Sequence, residues 1–346
     1  MDTLLIHVLN SLLYAAVLFL IAGGLSLIYG VMRIVNLAHG NLYAFGAFVA
    51  AWTVGLLVDG ATPTPLLYAA VLFLIAGGLS LIYGVMHIVN LAHGNLYAFG
   101  AFVAAWTVGL LVGGATPTPL LYLVLLAGPL GAAALGAVLE PTLLRPLYQR
   151  PEEYQLLITF GLLLILEDLI RLIWGPYPLS VSSLFEGMGS LNIGESIYPT
   201  YNLAVIVVGG LAAAGLWAFI YRSQFGVVLR ATSQNMRMAQ AMGVNVNRVY
   251  VQAFTLGCFM AGLGGAIVVP QQGAVLGMGV DALILAFVVV VIGGLGSLEG
   301  ALVGALMVGV VRELGITFFP EVELAVLYLM AAVVLLIRSA GLFGRA

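Results

Sequence analysis

The sequence predicts an all-α, polytopic transmembrane helical bundle, and three observations lead to this fold class. Of the 346 residues only 7% are charged, whereas 63% are hydrophobic. A soluble domain carries roughly 25% charged residues because its surface faces water. The mean hydropathy of +1.16 and the repeated apolar stretches of about 20 residues, the length of a membrane-crossing helix, complete the pattern. We therefore expect a single transmembrane domain over residues 1–346.

The apolar stretches divide into about eleven membrane spans, or about nine if a duplicated hairpin is set aside. Long β-alternation is absent, and helices are then the structure that satisfies every backbone polar group in lipid. The predicted spans are 8–30, 40–58, 65–84, 94–112, 119–139, 155–174, 201–221, 250–270, 281–296, 299–316 and 323–338.

The positions of the arginines predict how the chain is oriented, since basic loops stay in the cytoplasm. The chain has no lysine, and its arginines concentrate in two inter-span loops, at 140–154 and 222–249. The loop 175–200 between them has no basic residue. We therefore expect both basic loops and the C-terminus in the cytoplasm and the N-terminus outside.

A tandem repeat occupies the first third of the chain. Residues 12–68 and 66–122 differ at only two of 57 positions, Arg33/His87 and Asp59/Gly113. Each copy holds two spans, so the insertion leaves the downstream orientation unchanged. A recent duplication and an artefact of sequence assembly or cloning both explain it. The native downstream junction follows copy 2, so we predict that copy 2 belongs to the bundle and that copy 1 is displaced to its periphery.

A polar motif ends one span and begins the next at residues 27–40, and its copy does so at 81–94. Two interpretations stay open: a capped helix junction on the cytoplasmic side, or a lining of the transport path. Neither motif histidine has a second ligand at helical spacing, so we expect no metal and no cofactor. The candidate path residues are Asn36, His39 and Gly40 in copy 1 and Asn90, His93 and Gly94 in copy 2.

The basic loop 222–249 has the size of a helical hairpin. Between Tyr221 and Tyr250 it carries four arginines and no acidic residue. Apolar residues recur at helical spacing and form a stripe that continues past Gly243, a glycine expected to end a helix. A solvated loop would need neither feature, so the pattern favours a docking element for a cytoplasmic motor subunit. The stripe consists of Met236, Ala239, Met242 and Val246.

A third motif, at 291–305, clusters glycines within an apolar segment. Close helix packing and a gate-lining role, with Gly293, Gly294 and Gly296 as path candidates, both explain it. It is not a phosphate-binding loop, because Lys-Ser/Thr is missing. The chain holds no Walker sequence, so we do not expect it to be an enzyme that hydrolyses ATP.

Charges near the apolar spans are expected to be paired, since an isolated charge in lipid is expensive. Glu167 and Asp168 lie four and three residues before Arg171, which favours a structural ion pair on one helix near the outer interface. Arg312 lies near the outer end of its span, where Glu313 could pair with it.

Together these motifs resemble the permeases of branched-chain amino-acid ABC importers, in particular the subunit with the Asn-Leu-Ala-His-Gly element. The resemblance covers nearly the whole chain once one repeat copy is set aside. It is carried by three segments in the same order and spacing. These are Ile-Val-Asn-Leu-Ala-His-Gly-Asn from residue 34, Leu-Arg-Ala-Thr…Ala-Gln-Ala-Met-Gly-Val-Asn from residue 229, and Ile-Gly-Gly-Leu-Gly-Ser-Leu-Glu-Gly from residue 292.

The resemblance implies an importer permease that lies in the inner membrane of a bacterial cell and works by alternating access. Its expected partners are a second permease subunit, cytoplasmic ATP-binding subunits, an extracytoplasmic substrate-binding protein and the lipid bilayer, with no nucleic acid. A permease of the same superfamily for urea, short amides or sugars, and an independent secondary transporter, are the alternatives. The ATPase-coupling residues that the resemblance implies are Arg230, Ala231, Ala239, Ala241 and Gly243.

Overall fold

The computed structural model describes residues 65–86, 88–112, 119–148, 150–193, 196–318 and 323–343. The first repeat copy lies outside the described residues, and with it the predictions on Asn36, His39 and Gly40. Residues Thr62–Ala346 form one compact unit, which contains the second copy.

Helices dominate this unit, as the composition predicts, and the fold class is confirmed. The α-helices are α1 (Pro65–Met86), α2 (His93–Val112), α3 (Pro119–Val124), α4 (Ala127–Leu139), α5 (Glu152–Trp174), α6 (Ser182–Gly187), α7 (Thr200–Arg222), α8 (Gln224–Gln234), α9 (Met236–Ala241), α10 (Val246–Gln272), α11 (Met278–Gly293), α12 (Leu298–Phe318) and α13 (Glu323–Ile337).

Two irregular features were not predicted. After α4 the chain continues as a π-helical turn over Glu140–Leu144 and a 3₁₀ turn over Arg145–Leu147. Each begins next to a proline, which has no N–H to donate to the preceding turn. The loop after α6 forms a short antiparallel ribbon, in which β1 (Ser190–Ile193) pairs with β2 (Ser196–Pro199).

Helix α10 is the centre of the bundle, and α1, α2 and α4 pack around it. In an apolar 18-residue window of α10, 83% of the residues are buried, whereas in the corresponding window of α7 only 22% are buried. The apolar surface of α7 therefore faces outward, where lipid would cover it. Copy 2 of the repeat supplies α1 and α2, so the second copy lies in the core of the described bundle.

The close approach of α2 to α10 depends on three glycines, Gly100, Gly262 and Gly265, which we call the glycine seam. A Cβ atom at Gly265 would lie 2.1 Å from the carbonyl oxygen of Tyr97, and one at Gly100 would lie 2.4 Å from the Cα atom of Gly262. Both neighbours are backbone atoms and cannot rotate away. Small residues at such contacts let helix backbones pack closely without a hydrophobic driving force.

Five described helices or helical segments are long and apolar enough to cross a membrane. Helices α11 and α12 pass the same test as a pair, but the chain bends by 117° between them. The sequence predicts two separate spans here, at 281–296 and 299–316. The helices begin and end close to those limits, and the sharp bend at residues 294–297 falls within the predicted glycine cluster.

The two ends of the bundle bring together different loops. At one end, the C-terminal tail binds the end of α11 through Leu342 N–H to Ile292 O and Phe343 N–H to Gly293 O, both at 2.9 Å. At the other end, Leu179 and Ala274 exchange backbone hydrogen bonds of 3.0 and 2.9 Å. We call these the tail end and the bridge end.

Candidate functional site: a coupling loop and an adjoining cavity

The loop between α7 and α10 is built by three capping side chains. Ser223 accepts a hydrogen bond from Gly226 N–H at 2.9 Å and begins α8, and Asn235 accepts one from Met238 N–H at 2.9 Å and begins α9. Asn245 accepts one from Arg248 N–H at 3.2 Å and begins α10. Serine and asparagine are preferred at these positions because the side-chain oxygen satisfies a free helix N–H. The loop is thus two short, defined helices.

Gly243 ends the second of these helices, as predicted from the sequence. Its φ of +86° is in the left-handed region, and nothing lies within 4 Å of the position of a Cβ atom. Gly243 N–H donates to Gln240 O at 2.9 Å, and Val244 N–H donates to Ala239 O at 3.0 Å. This is the glycine-terminated helix end that satisfies the last free carbonyls.

The predicted apolar stripe does not form one face, because α9 ends at Ala241 and the chain turns at Gly243. Ala239 and Val246 are buried in the core of the permease itself. Met242 is 78% exposed, and Met236 and Met238 are also exposed. The stripe prediction was wrong in this respect: a period of 3.6 residues holds only within a continuous helix. The surface of the loop is instead a set of three exposed methionines, Met236, Met238 and Met242.

The five predicted coupling residues do not share one environment. Ala231, Ala241 and Gly243 are exposed on the loop, whereas Ala239 is buried. Arg230 turns back toward α7, where its guanidinium donates to Ile220 O and lies 5.1 Å from the centre of the Tyr221 ring. Arg230 therefore fastens α8 to the end of α7.

A cavity of about 1020 Å³ lies beside this loop at the tail end, and we call it the inner cavity. Its wall includes Gly84 of α1, Arg230 of α8 and the bend between α11 and α12. Of the predicted glycines in that bend, Gly296 lines the inner cavity. Gly293 packs on Gly300, and Gly294 packs on Gly341 of the C-terminal tail.

The polar motif of copy 2 lies in the packed interior. Asn90, His93 and Asn95 are fully buried. Asn90 accepts from Ala92 N–H at 3.1 Å, His93 Nε2 lies 3.0 Å from Ile75 O, and Asn95 donates to Leu163 O at 2.5 Å. A carbonyl only accepts, so the proton of the neutral imidazole is on Nε2. These side chains hold α1, α2 and α5 together and are not among the residues that line the inner cavity.

Gly94 of this motif is held by a backbone contact. A Cβ atom at Gly94 would lie 2.0 Å from the carbonyl oxygen of Gly279, so α2 and α11 touch where both begin. Among the described residues, two buried polar atoms of the motif, Asn90 Nδ2 and His93 Nδ1, and one of the following residue, Asn95 Oδ1, have no hydrogen-bond partner. Burying a polar atom without a hydrogen bond lowers the free energy of unfolding by about 1–3 kcal/mol. The motif is therefore more polar than packing alone requires.

The predicted charge pair on α5 is absent from the described structure. No ion pair joins Glu167 or Asp168 to Arg171; Glu167 instead accepts a hydrogen bond of 2.7 Å from Gly277 N–H, ahead of α11. Local spacing suggested the pair, but a helix N-terminus 110 residues away offers unsatisfied N–H groups to a carboxylate. Arg312 is half-buried on α12, and the side chain of Glu313 lies outside the described residues.

A buried carboxylate that was not predicted, Glu140, lies directly after α4. It forms a 2.8 Å ion pair with Arg145 and accepts a hydrogen bond from the Tyr148 hydroxyl. Burial, together with the hydrogen bond to Glu140, raises the pKa of Tyr148 well above its usual range. The Tyr148 ring packs edge-on against Tyr250 with centroids 5.0 Å apart. The network anchors the predicted cytoplasmic loop 140–154 to the base of α10.

Comparison with known proteins identifies the family. The family model described as "Branched-chain amino acid transport system / permease component" matches residues 7–61 and 62–337. The chain belongs to this family. Its second match alone covers all of the described helices, and its first falls on the first repeat copy, so copy 1 is an additional partial copy of a family segment.

Curated relatives support the assignment. The high-affinity branched-chain amino acid transport system permease protein LivH of Salmonella typhimurium is 30% identical over 282 residues, covering 79% of this chain and 91% of the relative. BraD of Pseudomonas aeruginosa, a permease protein of the same description, is 29% identical over 279 residues, with the same two coverages. Among solved structures, PsaBC from Streptococcus pneumoniae aligns with a TM-score of 0.41 and 17% identity over 79% of this chain and 89% of that chain.

Proposed function

We propose that this protein is a permease subunit that imports branched-chain amino acids, or related small amino acids, with energy from partner ATP-binding subunits. The observation that carries the proposal is the match to relatives whose names state branched-chain amino acid transport, at 30% identity over 79% of this chain and 91% of LivH. A permease for sugars is the second candidate. It rests on the fructose import permease FrcC of Rhizobium meliloti, which matches only 37% of either chain.

The exposed methionines support a coupling role for the loop. A large apolar surface exposed to water is unfavourable unless a partner covers it, and methionine adapts its shape to a partner surface. Arg237 and Arg248 are exposed beside them, and the segment has no acidic residue. We therefore propose that an ATP-binding subunit with an apolar groove and acidic rim covers α8 and α9.

The orientation follows from the same loop. With α8 and α9 in the cytoplasm, the tail end of the bundle faces inward, and the bridge end faces the substrate-binding protein. In this arrangement the inner cavity, with Gly296 in its wall, contributes to the inward exit. Asn90, His93 and Gly94 then act by fixing the α1–α2 junction. A second permease subunit would complete the path.

Uptake of labelled leucine tests the proposal. The chain is produced with its partner permease, ATP-binding subunits and binding protein in cells that lack their own branched-chain amino acid importers. We expect ATP-dependent leucine uptake that excess isoleucine or valine suppresses and excess fructose leaves unchanged. Uptake of fructose without uptake of leucine would support the sugar candidate and contradict the proposal.

A further inference from the structure

The short helix α9, which carries the exposed methionines, is held to the rest of the bundle at both of its ends. Beyond its last turn, Val244 N–H donates to Ala239 O at 3.0 Å across the glycine turn that leads into α10. At its first residue, the sulfur of Met236 accepts a hydrogen bond of 3.4 Å from the hydroxyl of Tyr250, 14 residues further along the chain. A thioether is a weak acceptor, but this contact joins the start of α9 directly to α10.

Tyr250 has a second partner on the other side of its ring. It lies in the second turn of α10 and is only 6% exposed. The ring of Tyr148 packs edge-on against it, with centroids 5.0 Å apart and an angle of 86° between the planes. Edge-to-face contact is a favourable arrangement of two aromatic rings. Tyr250 therefore lies between α9 and the segment that follows α4.

Tyr148 is itself fastened to two further helices. Its hydroxyl donates to the fully buried Glu140, directly after α4. In α5, the side-chain amide of Gln155 donates to Leu147 O at 3.2 Å and to Arg150 O at 2.9 Å, on either side of Tyr148. Separating a buried carboxylate from its hydrogen-bond donors is unfavourable. A displacement of Tyr148 is therefore passed to the end of α4 and the start of α5.

We propose that Tyr250 is a positioning residue that transmits movement of α9 to α10, α4 and α5. The inference rests on the proposed function, in which an ATP-binding subunit covers α9. When that subunit moves α9, the contact with Met236 carries the displacement to Tyr250, and the ring contact carries it to Tyr148. Without this link, rotation of the backbone at Gly243 would absorb the movement, because glycine is the least restricted residue.

The number of leucine molecules imported per ATP hydrolysed tests this role. It is measured on proteoliposomes that hold the complete complex, with the binding protein and leucine supplied on its side of the membrane. Loss of folded protein lowers uptake and hydrolysis alike and leaves this ratio unchanged, so the ratio reports transmission. For Tyr250→Leu we expect retention of the ATP-binding subunit, continued ATP hydrolysis and a ratio lowered at least about tenfold, since both contacts of the side chain are lost. An unchanged ratio would overturn the proposal.

Tyr250→Phe is the conservative variant. It preserves the ring contact with Tyr148 and the volume of the core, which is the change that cores tolerate best, and it removes only the hydroxyl. We expect the ratio to fall by about two- to fivefold, the effect of losing one weak hydrogen bond. If Tyr250→Leu does not assemble, this variant decides, and a native ratio would then overturn the proposal.

A double variant tests whether the two tyrosines belong to one path. Residues in contact that act through the same path have non-additive effects. We therefore expect Tyr148→Leu to lower the ratio, and Tyr148→Leu combined with Tyr250→Leu to lower it no further than the more severe single variant. Single effects that multiply in the double variant would contradict transmission through Tyr148.

Tyr328→Leu is the matched control, because it makes the same chemical change at a tyrosine that is 39% exposed on α13. Exposed substitutions have small effects, so the ratio should stay within about twofold. The experiment also separates the two proposals. Leucine uptake by the unchanged complex, with a native ratio in both Tyr250 variants, would overturn this inference alone. Absence of leucine uptake by the unchanged complex under every condition would overturn the proposed function.

Discussion

Glycine has opposite roles in two regions of this permease. In the glycine seam, Gly265 lets the backbone of α10 approach that of α2, and a Cβ atom there would lie 2.1 Å from Tyr97 O. In the coupling loop, Gly243 has open space around it and is required for its φ of +86°. The seam needs the absence of a side chain, whereas the loop needs a backbone conformation that other residues rarely adopt.

The difference separates stability from coupling. The seam involves the most buried helix of the bundle, so a substitution there should lower the stability of the whole fold. In the loop, Met238 and Met242 are 60% and 78% exposed. A substitution there should weaken the binding of a partner subunit and leave the fold intact. Substitutions at the two glycines should therefore fail in different assays.

The largest effect is expected from Gly265→Leu. Over-packing a core costs about 1–3 kcal/mol, and here the obstacle is backbone, so the loss should be at or above that range. We expect little folded protein by detergent size-exclusion chromatography. The matched control is Gly210→Leu, on the outward face of α7 with nothing within 4 Å, which should yield normal protein. Normal yield of both variants would mean that the seam is looser than described.

The second-largest effect is expected from the substitution Gly243→Asp in the coupling loop. A non-glycine residue at this φ costs roughly 1–2 kcal/mol, too little to unfold the bundle, but the helix end and the neighbouring Met242 would shift. We expect normal membrane insertion and loss of the ATP-binding subunit in a pull-down, with loss of transport.

Gly189→Asp is the matched control for this prediction. Gly189 also follows a short helix, has a φ of +65° and open space around it, and donates its N–H to the carbonyl three residues earlier, but it lies in the loop after α6. This variant should retain the ATP-binding subunit. Retention by both variants would disprove the docking role of the coupling loop.

Cysteine labelling sharpens the contrast between buried seam and exposed loop. The native Cys258 is the chain's one cysteine and is fully buried in α10, so it should stay unlabelled. We expect Gln240→Cys, on α9, to react with an impermeant maleimide only in inside-out vesicles, and Ser182→Cys, on α6, to react in intact spheroplasts. Reaction of Gln240→Cys from outside would reverse the proposed orientation.

Hydropathy predicts the helices of this protein well because every span must be apolar over the thickness of the bilayer. The predicted span 94–112 is α2 within one residue, and 201–221 is α7 within one residue at each end. The helix stop at Gly243 was also predictable, since the signal is local. Helices and helix ends are determined by residues that are close to one another in the sequence, so they can be predicted from it.

The contacts that the sequence did not predict are those between distant residues. Glu167 accepts a hydrogen bond from Gly277, which immediately precedes α11, and does not pair with Arg171 one turn away. The methionine surface was misassigned because the stripe continued across a turn. Helices α11 and α12 are joined by a 117° bend, an angle that composition does not encode.

The most direct test of the account is deletion of residues 13–66, which rejoins the chain at the shared Leu-Leu-Tyr and restores a single copy of the repeat. The claim under test is that the second copy, as α1 and α2, forms a complete permease subunit together with the rest of the bundle. We therefore predict leucine uptake by the deletion variant at a rate equal to or above that of the full chain. Loss of uptake with normal expression and membrane insertion would contradict the account, because both hairpins would then be required.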